Sequence, residues 1–99
     1  MMDFYVRVAR AGSQVLLSAC DSSLLGKVFR EGDAILNVSE SYYGQERVDE
    51  ERLRSLLRGA TIINLVGKGA ISVAVDLGLC HPSDAKYVEG VPHLNIYYL

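Results

Sequence analysis

Residues 64–75 read NLVGKGAISVAV. An apolar run meets a Gly-Lys-Gly turn, and small and branched apolar residues follow at helical spacing. The conformation of TIINLV (61–66), which leads into the glycines, decides the architecture. Its β-branched residues suit a central strand buried on both faces, which makes the chain a sheet with helices packed on it. The alternative, a helix over 61–66, turns the glycines into the link between two short helices. The strand is the simpler reading. Beyond the turn, residues 70–77 are apolar nearly all round, with Ser72 and Asp76 as the one polar line, so this helix is expected to be largely buried. Gly78 supplies a left-handed cap, and Leu79 folds back toward Ala74 as in a Schellman motif.

The remaining elements follow outward from this centre. Toward the C-terminus, His81-Pro82-Ser83-Asp84 is a turn, Lys86-Tyr87-Val88 a short strand, and Glu89-Gly90 a second turn. HLNIYYL (93–99) is a last strand that alternates Leu94, Ile96 and Tyr98 against His93, Asn95 and Tyr97. Toward the N-terminus, Asp49 caps a helix that ends at Gly59. Val48 and Leu53 stand at staple positions, and Leu53, Leu56 and Leu57 form the buried stripe. Residues 39–48, SESYYGQERV, show neither period and are expected to be a loop. AILNV (34–38) is a strand. Asp21 reads as the cap of a helix ending at Gly32, with Leu24, Leu25, Val28 and Phe29 on one face. Gly26 weakens that helix by ~1 kcal/mol relative to alanine. FYVRVA and QVLLSA, around Ala11-Gly12-Ser13, open the chain as a hairpin. The expected order is ββαβαβαββ. It describes one α/β domain at the α+β boundary, spanning 1–99, with a mixed sheet and helices packed on it.

Ninety-nine residues, 49% hydrophobic and 22% charged with two prolines, suit an ordered domain with one core. The net charge of −2 gives no basic field of the kind that non-specific nucleic-acid binders use, so RNA binding would rest on a local patch. The opening MMDFYVRVAR lacks a cationic stretch followed by an apolar one, and no segment is apolar over a membrane-spanning length. A cytoplasmic chain with reduced Cys20 and Cys80 is expected.

Two places could carry chemistry. A strand ending in Gly67-Lys68-Gly69 before a helix can point free amides at a phosphate or carboxylate, with the helix dipole and Lys68 adding positive charge. The stretch completes neither the dinucleotide-binding glycine pattern nor the Walker phosphate loop. In the two-helix reading it is similar to helix-hairpin-helix nucleic-acid modules, except that Lys68 stands where those hairpins carry an apolar residue. The plainer reading makes both glycines connectors. Asn64, polar in an apolar strand, needs a partner and would join Gly67, Lys68 and Gly69 at the strand's carboxyl end. The second place is the loop. Tyr42, Tyr43 and Arg47 suit stacking on bases or gripping a protein. The preferred reading has one tyrosine packing inward and the other at the surface. His93, after Pro92, is a further contact candidate. Spacing among Cys20, Cys80, His81 and His93 fits no metal site, and no catalytic motif or cofactor signature is complete.

ACDSSLLGKVFREG (19–32), SESYYG (39–44), ATIINLVGKGAISVAVDLGL (60–79) and GVPHLNIY (90–97) together resemble a family of small archaeal proteins known only as a domain of unknown function. The resemblance covers nearly the whole chain. It implies an archaeal, cytoplasmic α/β protein and brings no activity with it. Ile63 and Lys68 depart from its pattern, which has a smaller and an acidic residue there. The functional expectation is a non-enzymatic module that binds RNA or a ribonucleoprotein or protein partner. The alternatives are an enzyme or sensor for a small phosphorylated or carboxylated ligand at Gly67–Gly69, and a homodimer paired through a sheet edge.

Overall fold

A computed structural model describes residues 2–98. The chain opens with β1 (Asp3–Ala11) and β2 (Gln14–Asp21), an antiparallel hairpin. Then come β3 (Val28–Glu31), β4 (Ala34–Asn37), the short helix α1 (Glu40–Tyr43), β5 (Glu46–Asp49) and α2 (Glu50–Gly59). β6 (Ile62–Val66), α3 (Lys68–Asp76), β7 (Lys86–Val88) and β8 (Val91–Tyr97) complete the chain. Six strands form one sheet in the order β5-β1-β2-β6-β8-β7, and β3 and β4 form a separate two-stranded sheet. The β2–β6 pair is parallel and the other pairs are antiparallel, so the sheet is mixed and the class is α+β.

TIINLV is therefore a strand in the middle of the sheet. Its alternate residues serve two cores. Ile63 and Leu65 pack with Phe4, Val6, Leu17 and Ala19 beneath α2 and α3, which contribute Leu53, Leu57, Ala70, Val73 and Ala74. Val66, on the opposite face, packs with Cys20, Leu36, Val38, Tyr43 and Val88. One sheet face thus carries both long helices, and the other is covered in part by α1 and the β3–β4 hairpin.

Local signals built α2 and α3 as read. Asp49 accepts a hydrogen bond from Arg52 N at 2.8 Å, and Val48 and Leu53 are both buried. At the end of α3, Gly78 has φ 76° and Leu79 N donates to Ala74 O at 3.0 Å, as the Schellman motif requires.

Two segments differ from expectation. The helix expected over residues 21–32 is a single 3-10 turn, Ser22–Leu24, followed by the β3–β4 hairpin. Gly26 turns the chain at φ 85°, and its amide donates to Val38 O at 2.7 Å, fixing the start of the hairpin. Gly32, with φ 58°, stands first in the two-residue turn, where tight hairpins favour a positive φ. Phe29 and Leu36 are cross-strand partners turned toward the second core, while Arg30 and Ile35 face out. Asp21 caps no helix there; its side chain is committed elsewhere. Residues 39–48 are also more ordered than a loop. They hold α1 and β5, and β5 extends the sheet along β1 with Val48 opposite Phe4.

Candidate functional site

β2 and β6 run parallel and end side by side, at Asp21 and Val66. In open α/β sheets this is where ligands gather. Gly67 leaves β6 at φ 108° and its carbonyl accepts from Ile71 N, so α3 begins at once. The free amides of its first turn point at an anion, and that anion is the chain's own. Asp21 Oδ2 accepts from Gly69 N at 3.0 Å and Oδ1 from Ala70 N at 2.8 Å. A Cβ on Gly67 would run into this carboxylate, and one on Gly69 would lie 2.9 Å from Oδ1. Both glycines thus have a stated reason: they let a buttressing carboxylate approach the backbone. The Gly67 amide is also engaged, donating to Pro92 O at 2.9 Å. Lys68 is exposed and forms no ion pair among the described residues.

Asn64 does not join this turn. Strand pairing puts Arg7, Ser18, Asn64 and Asn95 in one row across β1, β2, β6 and β8, on the face away from α2 and α3. Asn64 Nδ2 donates to the Tyr42 hydroxyl at 2.6 Å, bringing together two residues drawn from different candidate groups. Tyr42 is 38% exposed and Tyr43 6%, with ring centroids 4.9 Å apart at 75°. One tyrosine packs inward and its neighbour stays at the surface. Burial pushes the Tyr43 hydroxyl up to about 12, so it stays protonated.

The neighbouring row on the same face runs Arg47, Tyr5, Cys20, Val66 and His93. Arg47 and His93 stand four strand spacings apart, roughly 19 Å, and form no common site. Arg47 is committed to Asp3: Nε donates to Oδ2 at 2.6 Å, and its guanidinium lies 5.8 Å from the Tyr5 ring centroid. Hydrogen bonds from Ser22 and from Arg47 hold the Asp3 carboxyl below the usual carboxylate range. His93 is half-buried and paired between Val66 and Lys86.

The third row, Ala9, Leu16, Ile62 and Tyr97, extends the same face past α1. Leu16 and Ile62 are half-buried and Tyr97 is 60% exposed. Arg7 makes no ion pair among the described residues. The Ser18 hydroxyl is fully buried without a hydrogen-bond partner. Arg7, Ser18, Asn95 and Tyr97 are additions to the candidate residues. The alternation of the last strand marked Asn95 and Tyr97 as sharing a face with His93, but only the strand register brings the four together. Elsewhere, Arg54 of α2 pairs with Glu50 and with Asp76 of α3, at 2.9 and 2.7 Å, which ties the two helices together. No group of three or more His, Cys, Asp or Glu side chains suited to a metal occurs among the described residues.

The fold and this face define a small α+β protein with its two long helices on one side of a mixed sheet and a polar-aromatic surface, partly covered by α1, on the other. The chain belongs to the family described as protein of unknown function (DUF424), whose model matches residues 9–99. It is similar to an uncharacterised conserved protein from the archaeon Methanopyrus kandleri, seen in a crystal structure. The two are 28% identical, with a TM-score of 0.81 over 98% of this chain and 92% of the other. No curated protein matches the sequence.

Proposed function

We propose that the protein is a non-catalytic cytoplasmic binding module whose sheet face away from α2 and α3 engages single-stranded RNA, alone or within a ribonucleoprotein. The observation that carries this reading is Arg7, Asn64 and Asn95 in one row, across the buried Ser18, with exposed Tyr42 and Tyr97 beside it. Aromatic rings on a sheet face stack bases, amide side chains read base edges, and an unpaired arginine meets phosphate or stacks. The acidic net charge limits the phosphate contacts, so stacking supplies most of the affinity and the salt dependence is shallow. The cytoplasmic part is supported by two free cysteines and by the absence, among the described residues, of a helix long and apolar enough to cross a membrane.

Fluorescence anisotropy with unstructured oligonucleotides of 8–12 residues, across a salt series, tests the proposal. Tyr97→Ala is expected to weaken binding by about 1–2 kcal/mol, the worth of one stacked base. Arg7→Ala should flatten the salt slope by about 0.7, one phosphate contact on a single strand. Absence of salt-sensitive binding at protein concentrations in the high micromolar range would remove the RNA reading.

A protein partner is the second reading, favoured by one feature. β7 pairs with β8 only at Val91–His93, so the outer edge of β8 from Leu94 to Tyr97 lacks a strand among the described residues. Such an edge accepts a strand from another chain, including a second copy. Light scattering that returns the mass of a single chain excludes the second copy.

A further inference from the structure

The outer stripe of α3 overlooks a cleft. Lys68, Ile71, Ser72 and Val75 recur at helical spacing along α3; Ile71 is itself buried and forms the cleft floor, while Lys68 and Ser72 are exposed. Opposite them stand Pro82, Ala85 and Tyr87, with buried Pro92 completing a cavity of ≈ 250 Å³. Its walls are mostly apolar, and they include Tyr87, which is 58% exposed. Lys68 supplies the one formal charge of the lining, and it has no carboxylate partner among the described residues.

We infer that this cleft binds a small apolar carboxylic acid, with its branched or aromatic body between α3 and Tyr87 and its carboxylate on Lys68. The apolar walls exclude a ligand that is polar throughout, since burying its groups without partners would cost more than the contacts return. The choice of carboxylate over phosphate rests on the donors. A phosphate site needs several converging donors. At this helix start the amides of Gly69 and Ala70 are held by Asp21, that of Gly67 by Pro92 O, and that of Ile71 by Gly67 O. Ser72 Oγ already donates to Gly69 O at 2.7 Å. Beyond the Lys68 amide and the Tyr87 hydroxyl, the one charged donor left is the Lys68 ammonium, which suits one negative charge. The cleft lies at the α3–β7 end of the molecule, and none of the sheet-face residues Arg7, Ser18, Asn64, Asn95 or Tyr97 lines it.

The probes are 3-phenylpropanoate and its neutral counterpart 3-phenylpropan-1-ol, with acetate and inorganic phosphate as controls. Binding is followed by amide chemical shifts and calorimetry on the full chain. The acid is expected to saturate, with shifts confined to residues 68–75 and 82–92, and to bind about fivefold or more tighter than the alcohol, the scale of one partly exposed ion pair. Acetate and phosphate should leave those residues unmoved. Lys68→Gln should bring the acid down to the affinity of the alcohol while the alcohol is unchanged, and Ser72→Phe should abolish both. Both substitutions are at exposed positions, and an unchanged amide spectrum away from the cleft verifies the fold. Equal binding of acid and alcohol, an unaltered acid affinity in Lys68→Gln, shifts centred elsewhere, or no saturation would each overturn the inference.

Discussion

Asp21 shows how one side chain answers a question that the sequence raises elsewhere. The Gly67–Gly69 turn has the form of an anion cradle, and a carboxylate 46 to 49 positions earlier fills it. Nothing within either segment announces the other. Asp21 precedes a serine pair, as a local helix cap would, and the strand pairing β2–β6 redirects it. Asp21→Ala is expected to cost about 1–2 kcal/mol by orphaning two amides at a helix start, which chemical denaturation measures directly. Gly67→Ala should be worse, because it adds a clash with that carboxylate to a φ of 108°. In the double variant the clash disappears while the φ strain stays, so the two effects should sum to more than the measured loss. The cysteines separate in the same way. Burial raises the Cys20 thiol to about 12, and Cys80 is raised less and is only half-buried. An aromatic disulfide reagent at pH 8 should label Cys80 in the folded protein and reach Cys20 only on unfolding. Asp3 titrates low in the folded chain, first through Ser22 and then through Arg47. A depressed folded pKa gives stability that is present above the unfolded value and lost as pH falls through the folded one. The stability gap between wild type and Asp3→Asn should therefore be present at neutral pH and close below the ordinary Asp value of about 3.9, as urea titrations across pH would show.

At the scale of elements, legibility follows how local the determinants are. α2 was readable because its cap, staple and leucine stripe all lie within residues 48–58. β6 was readable from its branched residues. The hairpin β3–β4 was not, because Leu24, Leu25, Val28 and Phe29 satisfy a helical face as well as they satisfy a turn followed by a strand. Gly26 at φ 85° and the burial of Leu36 and Phe29 against the second core settle the outcome, and both are tertiary facts. β5 has a single apolar residue among Glu46–Asp49, and it is a strand because the edge of β1 is there to receive it. Leu36→Ala is expected to destabilise by about 2 kcal/mol through a lost side chain in that core. Ile35→Thr, on the outer face at 61% exposure, should stay within about 0.5 kcal/mol. Equal losses at the two positions would mean that the hairpin does not dock as described.

Over the whole molecule, the two sheet faces are used differently. α2 and α3 seal one, burying Leu53, Leu57, Val73 and Ala74 on it. The other is half-covered, leaving polar and aromatic residues in rows that cross four strands. The expected site residues divide accordingly: Gly67, Lys68 and Gly69 stay together at the strand end, Asn64 and Tyr42 meet on the open face, and Arg47 and His93 stand apart. Strand alternation told which residues share a face, but the rows needed the order β5-β1-β2-β6-β8-β7, and order is set by pairing between distant segments. The most direct measurement is an amide chemical-shift titration of the chain with an unstructured RNA oligonucleotide. If the open face binds single-stranded RNA, the shifts concentrate at Arg7, Asn64, Asn95 and Tyr97, and Tyr97→Ala weakens them. Shifts confined to α2 and α3, or no saturable shift, would contradict it.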